Sequence, residues 1–180
     1  VKNADGSLPA LPNYIPVGSV SEDSSTDLDF WRNFSSGDAN RRMDVRYIYL
    51  NGGPKSTGGG WRTWGQNGDG GRATLFVRES LKLGMVPFFV WYNIPAGNES
   101  YWTDVQNMQS AEYLRGYFED LKFALEIIKA EAGDEMVGFV LEPDFLGYLA
   151  QNRQDTETLM AATSAAYDSG VLDRTKDPVY

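Results

Sequence analysis

Two acids flank a proline at Glu142-Pro143-Asp144, directly after the apolar run Val137-Gly138-Phe139-Val140-Leu141. A carboxyl group held at the end of a buried strand meets low dielectric, which raises its pKa and suits it to general acid work. Asp144 and Glu142 are therefore the candidate proton donors. Asp144 is also well placed to cap a helix over 145–151, because Asp is a favoured N-cap. The remaining chemistry-bearing groups are amides and aromatic faces behind two earlier apolar runs. Asn51, Trp61, Arg62, Trp64 and Gln66 follow the run 46–50, and Trp91, Tyr92, Asn93 and Asn98 close or follow the run 85–92. Stacking faces, hydrogen-bonding amides and paired carboxylates are what a sugar ring requires. The plainer alternative is that strand ends are polar because they meet water.

Composition removes most other chemistry. The chain holds neither His nor Cys, so His-based triads, thiol nucleophiles, zinc fingers and disulfides are all excluded. Carboxylates, tyrosines, amides or a hard metal ion are left, and no metal-ligand set or cofactor motif emerges. Sixteen basic against 25 acidic residues give a net charge of -9, which repels nucleic acid and anionic membranes. No apolar run reaches the roughly 18 residues of a membrane span. Gly68-Asp69-Gly70-Gly71-Arg72-Ala73 fits a dinucleotide-type spacing, but the preceding strand ends far upstream, near Leu50. Gly53-Pro54-Lys55-Ser56-Thr57 lacks the Gly before Lys that a phosphate loop needs. The glycines are expected to let a long loop lie flat so that Trp61 and Trp64 face a ligand; otherwise the tryptophans pack onto the fold.

The elements that must position these groups alternate. Residues 1–44 are polar and aperiodic, with a short strand expected over 13–18, and read as an irregular N-terminal segment wrapped on the domain. Residues 45–180 carry strands at 46–50, 85–92 and 136–141, the last two being continuous apolar runs of the kind buried on both faces. Between them, a helix is expected over 73–83, with Gly84 as its left-handed cap. A long helix starts at Ser110, places Leu114, Tyr117, Phe118, Leu121, Leu125 and Ile128 at steps of three and four, and stops at Gly133. A mostly helical stretch is expected over 156–169. Tyr101 and Trp102 either extend the aromatic surface or staple the long helix; Leu146, Tyr148 and Leu149 read as core or helix face. Alternating strands and helices imply a parallel α/β sheet, either open and doubly wound or an arc of a β/α (TIM-type) barrel. Three strands cannot close a barrel, so the barrel reading makes this chain an N-terminal part of one, completed by a missing C-terminal half or by self-association.

Val140-Leu141-Glu142-Pro143-Asp144-Phe145-Leu146, with Leu149 and Asn152 beyond, resembles the hydrophobic-Glu-Pro-Asp-Ser-Leu segment of glycoside hydrolase family six. Phe89-Val90-Trp91-Tyr92-Asn93-Ile94-Pro95 is similar to that family's Val-Tyr-Asp-Leu-Pro segment, and one long helix separates the two motifs. The resemblance covers about 85–152. It implies cellulase-type cleavage of β-1,4-glucan, with Asp144 as the general acid and Tyr92 under the sugar at the cleavage subsite. Asn93 stands where the family has Asp, and Ala96-Gly97-Asn98 stands where it has the Asp that tunes the acid.

The expectation is thus a secreted, bacterial-type polysaccharide hydrolase without a cofactor. Its site residues are Asp144, Glu142 and Tyr92 for catalysis, and Trp91, Asn93, Asn98, Asn51, Trp61, Arg62 and Trp64 for substrate. If retaining glycosidases are the better relatives, Glu142 is the acid/base. The alternative is a non-catalytic carbohydrate-binding or degenerate barrel module. No signal segment stands at the start of the sequence, which reads as a trimmed mature end.

Overall fold

The computed structural model describes residues 14–37, 43–65, 67–97, 99–152, 155 and 157–177. Four parallel strands form one sheet in sequential order: β1 (Gly18–Val20), β2 (Val45–Asn51), β3 (Val86–Tyr92) and β4 (Gly138–Leu141). The helices are α1 (Ser25–Gly37), α2 (Gly71–Lys82), α3 (Tyr101–Gln109), α4 (Ala111–Ala132), α5 (Pro143–Gln151) and α6 (Ala165–Asp168). The fold is mixed α/β, as alternation of apolar runs and amphipathic segments requires. Register is continuous across the middle of the sheet, where Asn51 lies beside Tyr92 and Trp91 beside Leu141.

The two faces of the sheet are very different. On one, Ile48, Leu50, Phe89 and Trp91 pack against Ala73, Phe76 and Val77 of α2, Leu114, Tyr117 and Ala124 of α4, and Phe145 and Leu149 of α5. On the other, Val45, Tyr47, Tyr49, Phe88, Val90 and Val140 line an open groove of about 350 Å³. Gly138 is needed there, because a Cβ at that position would meet the Phe88 ring at 2.2 Å.

Three expectations change. The N-terminal segment is not irregular throughout: its strand falls at Gly18–Val20, pairs with β2 and is followed by a 13-residue helix. It is tied inward by Arg46, fully buried, which donates to Ser80, Ser21 and Asp23 and lies 4.6 Å from the Phe76 ring. Among its described residues, 157–169, the stretch expected to be mostly helical holds only the four-residue α6, with turns around it. Helix α5 begins at Pro143, and the N-cap position belongs to Glu142, so Asp144 lies in the first turn and does not cap. Ser110 does cap α4, accepting from the Tyr113 N–H. Among the described residues no helix is long and apolar enough to cross a membrane.

Candidate functional site

In parallel α/β sheets the carboxyl ends of the strands, with the loops beyond them, form the ligand side. Here that edge brings together Asn51 at the end of β2, Tyr92 at the end of β3 and Asp144 just beyond β4. Strand alternation turns Phe88, Val90 and Tyr92 to the groove face and Phe89 and Trp91 to the helices. Asn51, Gly52, Tyr92, Pro95, Gly97 and Glu99 line a cavity of about 90 Å³. Asp144 is exposed and, with Pro143, closes the end of the apolar groove. Tyr148, one turn further along α5, donates to Glu99 at 3.3 Å.

The loop after β3 is held by four residues. The Asn93 side-chain amide donates to the Leu50 carbonyl at 2.8 Å, the Tyr113 hydroxyl donates to the Asn93 carbonyl, and Asn107 donates to the Ile94 carbonyl. The fourth hold is Glu142. Its two carboxylate oxygens accept from the backbone N–H groups of Asn93 at 2.9 Å and Ile94 at 3.2 Å. To reach them Glu142 adopts φ 46°, the left-handed region, the one non-glycine among the described residues to do so. Such backbone strain persists only where surrounding contacts over-determine it.

Electrostatics divide the carboxyl groups. Burial raises Glu142 to about 7, against the opposing pull of the Asn93 and Ile94 amides and the Tyr117 hydroxyl. Burial likewise raises Asp104, in the first half of α3, to about 6, with the nearby Glu99 charge adding to the effect. Burial first, and then the charges of Glu99, Tyr148, Asp144 and Asp104, push the Tyr92 phenol far up, so it stays a neutral donor at any ordinary pH. Its hydroxyl lies beside that of Tyr148.

Several expected site residues are placed elsewhere. Trp91 and Trp61 do not face a ligand: both are 0% exposed and stack edge to face at 5.9 Å between sheet and helices. The reason is alternation for Trp91. For Trp61 it is the fold of the Gly-rich loop, which turns back along α4 and inserts the ring against Phe123. Arg62 is committed to the same loop. It forks onto Asp69 at 2.8 and 2.6 Å, reaches Asp120 of α4 at 2.8 Å and covers the Phe123 ring at 3.8 Å. Asp69, the acid inside the dinucleotide-like spacing, is held down at about 2 by Arg62. Asn93 is 1% exposed and serves the loop, and Glu142 lines neither cavity. Trp64 remains 37% exposed under Arg72. Gln66 and Asn98 lie outside the described residues. The structure thus brings Asn51, Tyr92 and Asp144 to one mouth and sets Trp61, Arg62, Trp91, Asn93 and Glu142 behind it.

Sequence reasoning missed Glu99, Asp104 and Tyr148. The strand-end rule would have found Glu99 had it run one residue past Asn98. Asp104 and Tyr148 gave no signal, since each looks like an ordinary helical residue. Among the described residues no cluster of three His, Cys, Asp or Glu side chains could hold a metal ion. Comparison with protein-family models, with curated proteins and with solved structures gives no match.

Proposed function

We propose that this chain forms an arc of a β/α barrel that cleaves polysaccharide chains, β-1,4-glucan in the first instance, with Asp144 as the general acid. The arc reading is supported by the strand order, which runs sequentially and never reverses as it does in doubly wound sheets. The observation that carries the activity is the position of Asp144: an exposed carboxyl group at the carboxyl end of β4, beside a groove floored by Tyr47, Tyr49 and Phe88. A sugar chain crossing the carboxyl ends of β2, β3 and β4 would present its glycosidic oxygen to Asp144 for protonation as the bond breaks. Glycoside hydrolysis needs a second carboxylate, as nucleophile or to activate water. Glu99, exposed across the mouth and bonded to Tyr148, supplies one from this chain. Tyr92, a permanent hydroxyl donor, would orient the sugar between them.

The test is reducing-sugar release from soluble β-glucan. Asp144→Asn keeps shape but cannot donate a proton, and loses about 100- to 10,000-fold in kcat. Activity retained within a few-fold would remove Asp144 from the role. A second reading, a carbohydrate-binding module without turnover, draws on Asn93, a buried amide where the resembling family has an acid. Affinity electrophoresis on glucan gels separates the two: retardation with no sugar release by the unaltered chain favours the module.

A further inference from the structure

Helix α3 has one fully buried residue, and it is an acid. Asp104 is 0% exposed, and neither of its oxygens makes a hydrogen bond of ordinary geometry. The titratable groups acting around it are Glu99 from the preceding loop, Tyr92 from β3, Tyr113 from α4 and Glu142 from the β4–α5 junction. All are acids or phenols; among the described residues no cation acts on it, and the Ser100 backbone amide alone opposes the loss of its charge. An ionised carboxylate in such a place is an uncompensated buried charge, whereas the neutral acid is tolerated. The other attachments of α3 are light. Tyr101, Val105 and Met108 are only partly buried, Asn107 donates to Ile94, and the Ala162 N–H donates to the Met108 carbonyl at 3.0 Å.

We propose that Asp104 is a proton-dependent positioning residue: its neutral form seats α3, and with it the Glu99 loop at the cavity mouth, and its ionisation loosens both. The role is independent of whether the mouth hydrolyses sugars. The seated state holds a proton that the loosened state releases. Burial moves Asp104 from 3.8 to about 6. Seating is therefore full below about pH 4, weakens as pH rises to about 6 and is level above that. Over that window the ratio of seated to loosened α3 falls by about a hundredfold.

Hydrogen exchange on the whole 180-residue chain between about pH 4 and 7.5, expressed as protection factors, reads this directly. Amides of α3 should lose up to about a hundredfold in protection between about pH 4 and 6 and level off above that, whereas the centre of α4, which exchanges only through global unfolding, should go on losing protection to about pH 7. Asp104→Asn and Asp104→Leu, which cannot ionise, should both hold α3 protection flat. Wild-type α3 protection that does not fall with pH, or a fall that persists in the variants, overturns the proposal. Should the variants fail to fold, the carboxyl ¹³C titration of the wild type decides. A midpoint for Asp104 near 6 supports the role; one near 4 overturns it.

Discussion

Glu142 spends its carboxylate on two backbone amides of the β3 loop, and it does so from a strained left-handed conformation. Its pKa rises from 4.5 to about 7 because burial outweighs those donors. The folded chain therefore keeps a proton between those values that the unfolded chain has released. Stability falls as pH climbs through that window and is level above about 7, a change on the order of 3 kcal/mol in full. Asp104 contributes in the lower part of the same window, up to about 6. Glu142→Gln should flatten the remaining slope between about pH 6 and 7. At pH 5 the variant should be about 1–3 kcal/mol less stable, because one acceptor is replaced by a donor facing an N–H. Urea unfolding across pH checks both, and an unchanged slope would refute the assignment of Glu142. The exposed Asp144, by contrast, should change stability by no more than about 0.5 kcal/mol when made Asn.

The loop between β2 and α2 behaves as part of the core, not as a lid. Trp61 is its buried anchor, and Arg62 locks it by joining Asp69 to Asp120, whose side chain is only 4% exposed. Trp61→Ala should cost about 3–5 kcal/mol by leaving a large cavity between Trp91 and Phe123. Arg62→Ala should cost a similar amount, since it strands the buried Asp120 charge. Trp64→Ala should cost less than about 1 kcal/mol. Denaturant midpoints at pH 7 give the ranking, and equal costs for the two tryptophans would contradict it. This loop also marks where the sequence stopped being legible. Strands β2, β3 and β4 and helix α4 were readable because each carries a local signal, an apolar or aromatic run for the strands and steps of three and four from Leu114 for the helix; the expected burial of β4 on both faces does not hold, since Val140 and Leu141 are exposed. The burial of Trp61 depends on Arg62 meeting Asp120, 58 positions away, a pairing no local pattern encodes. The same holds for β1, three residues long in a polar segment, which forms only because β2 offers an edge. At the site, Asp144 and Tyr92 were legible from the strand-end rule, whereas the turn of Trp91 toward the helices needed the register.

At the scale of the molecule, one face of the sheet is finished and the other is not. Parallel sheets are normally covered on both faces, because their strands are apolar on both. Yet Tyr49 is 40% and Val140 42% exposed on the groove face, and among the described residues β1 and β4 each have a neighbour on one side only. Open edges of this kind invite pairing with another strand. The 180-residue chain on its own should therefore self-associate, through the groove face, an edge strand or both. The net charge of -9 opposes this, so association should strengthen as salt screens the repulsion, the reverse of an ion-paired interface. Size-exclusion chromatography with light scattering, from about 0.05 to 0.5 M salt, shows whether the apparent mass rises with salt and concentration. Tyr49→Glu and Val140→Lys, both on the groove face and away from the α2–α4 core, should lower that mass while leaving the thermal transition cooperative. A monomer at every salt and concentration, melting sharply, would mean that the groove face is stable in water as it stands.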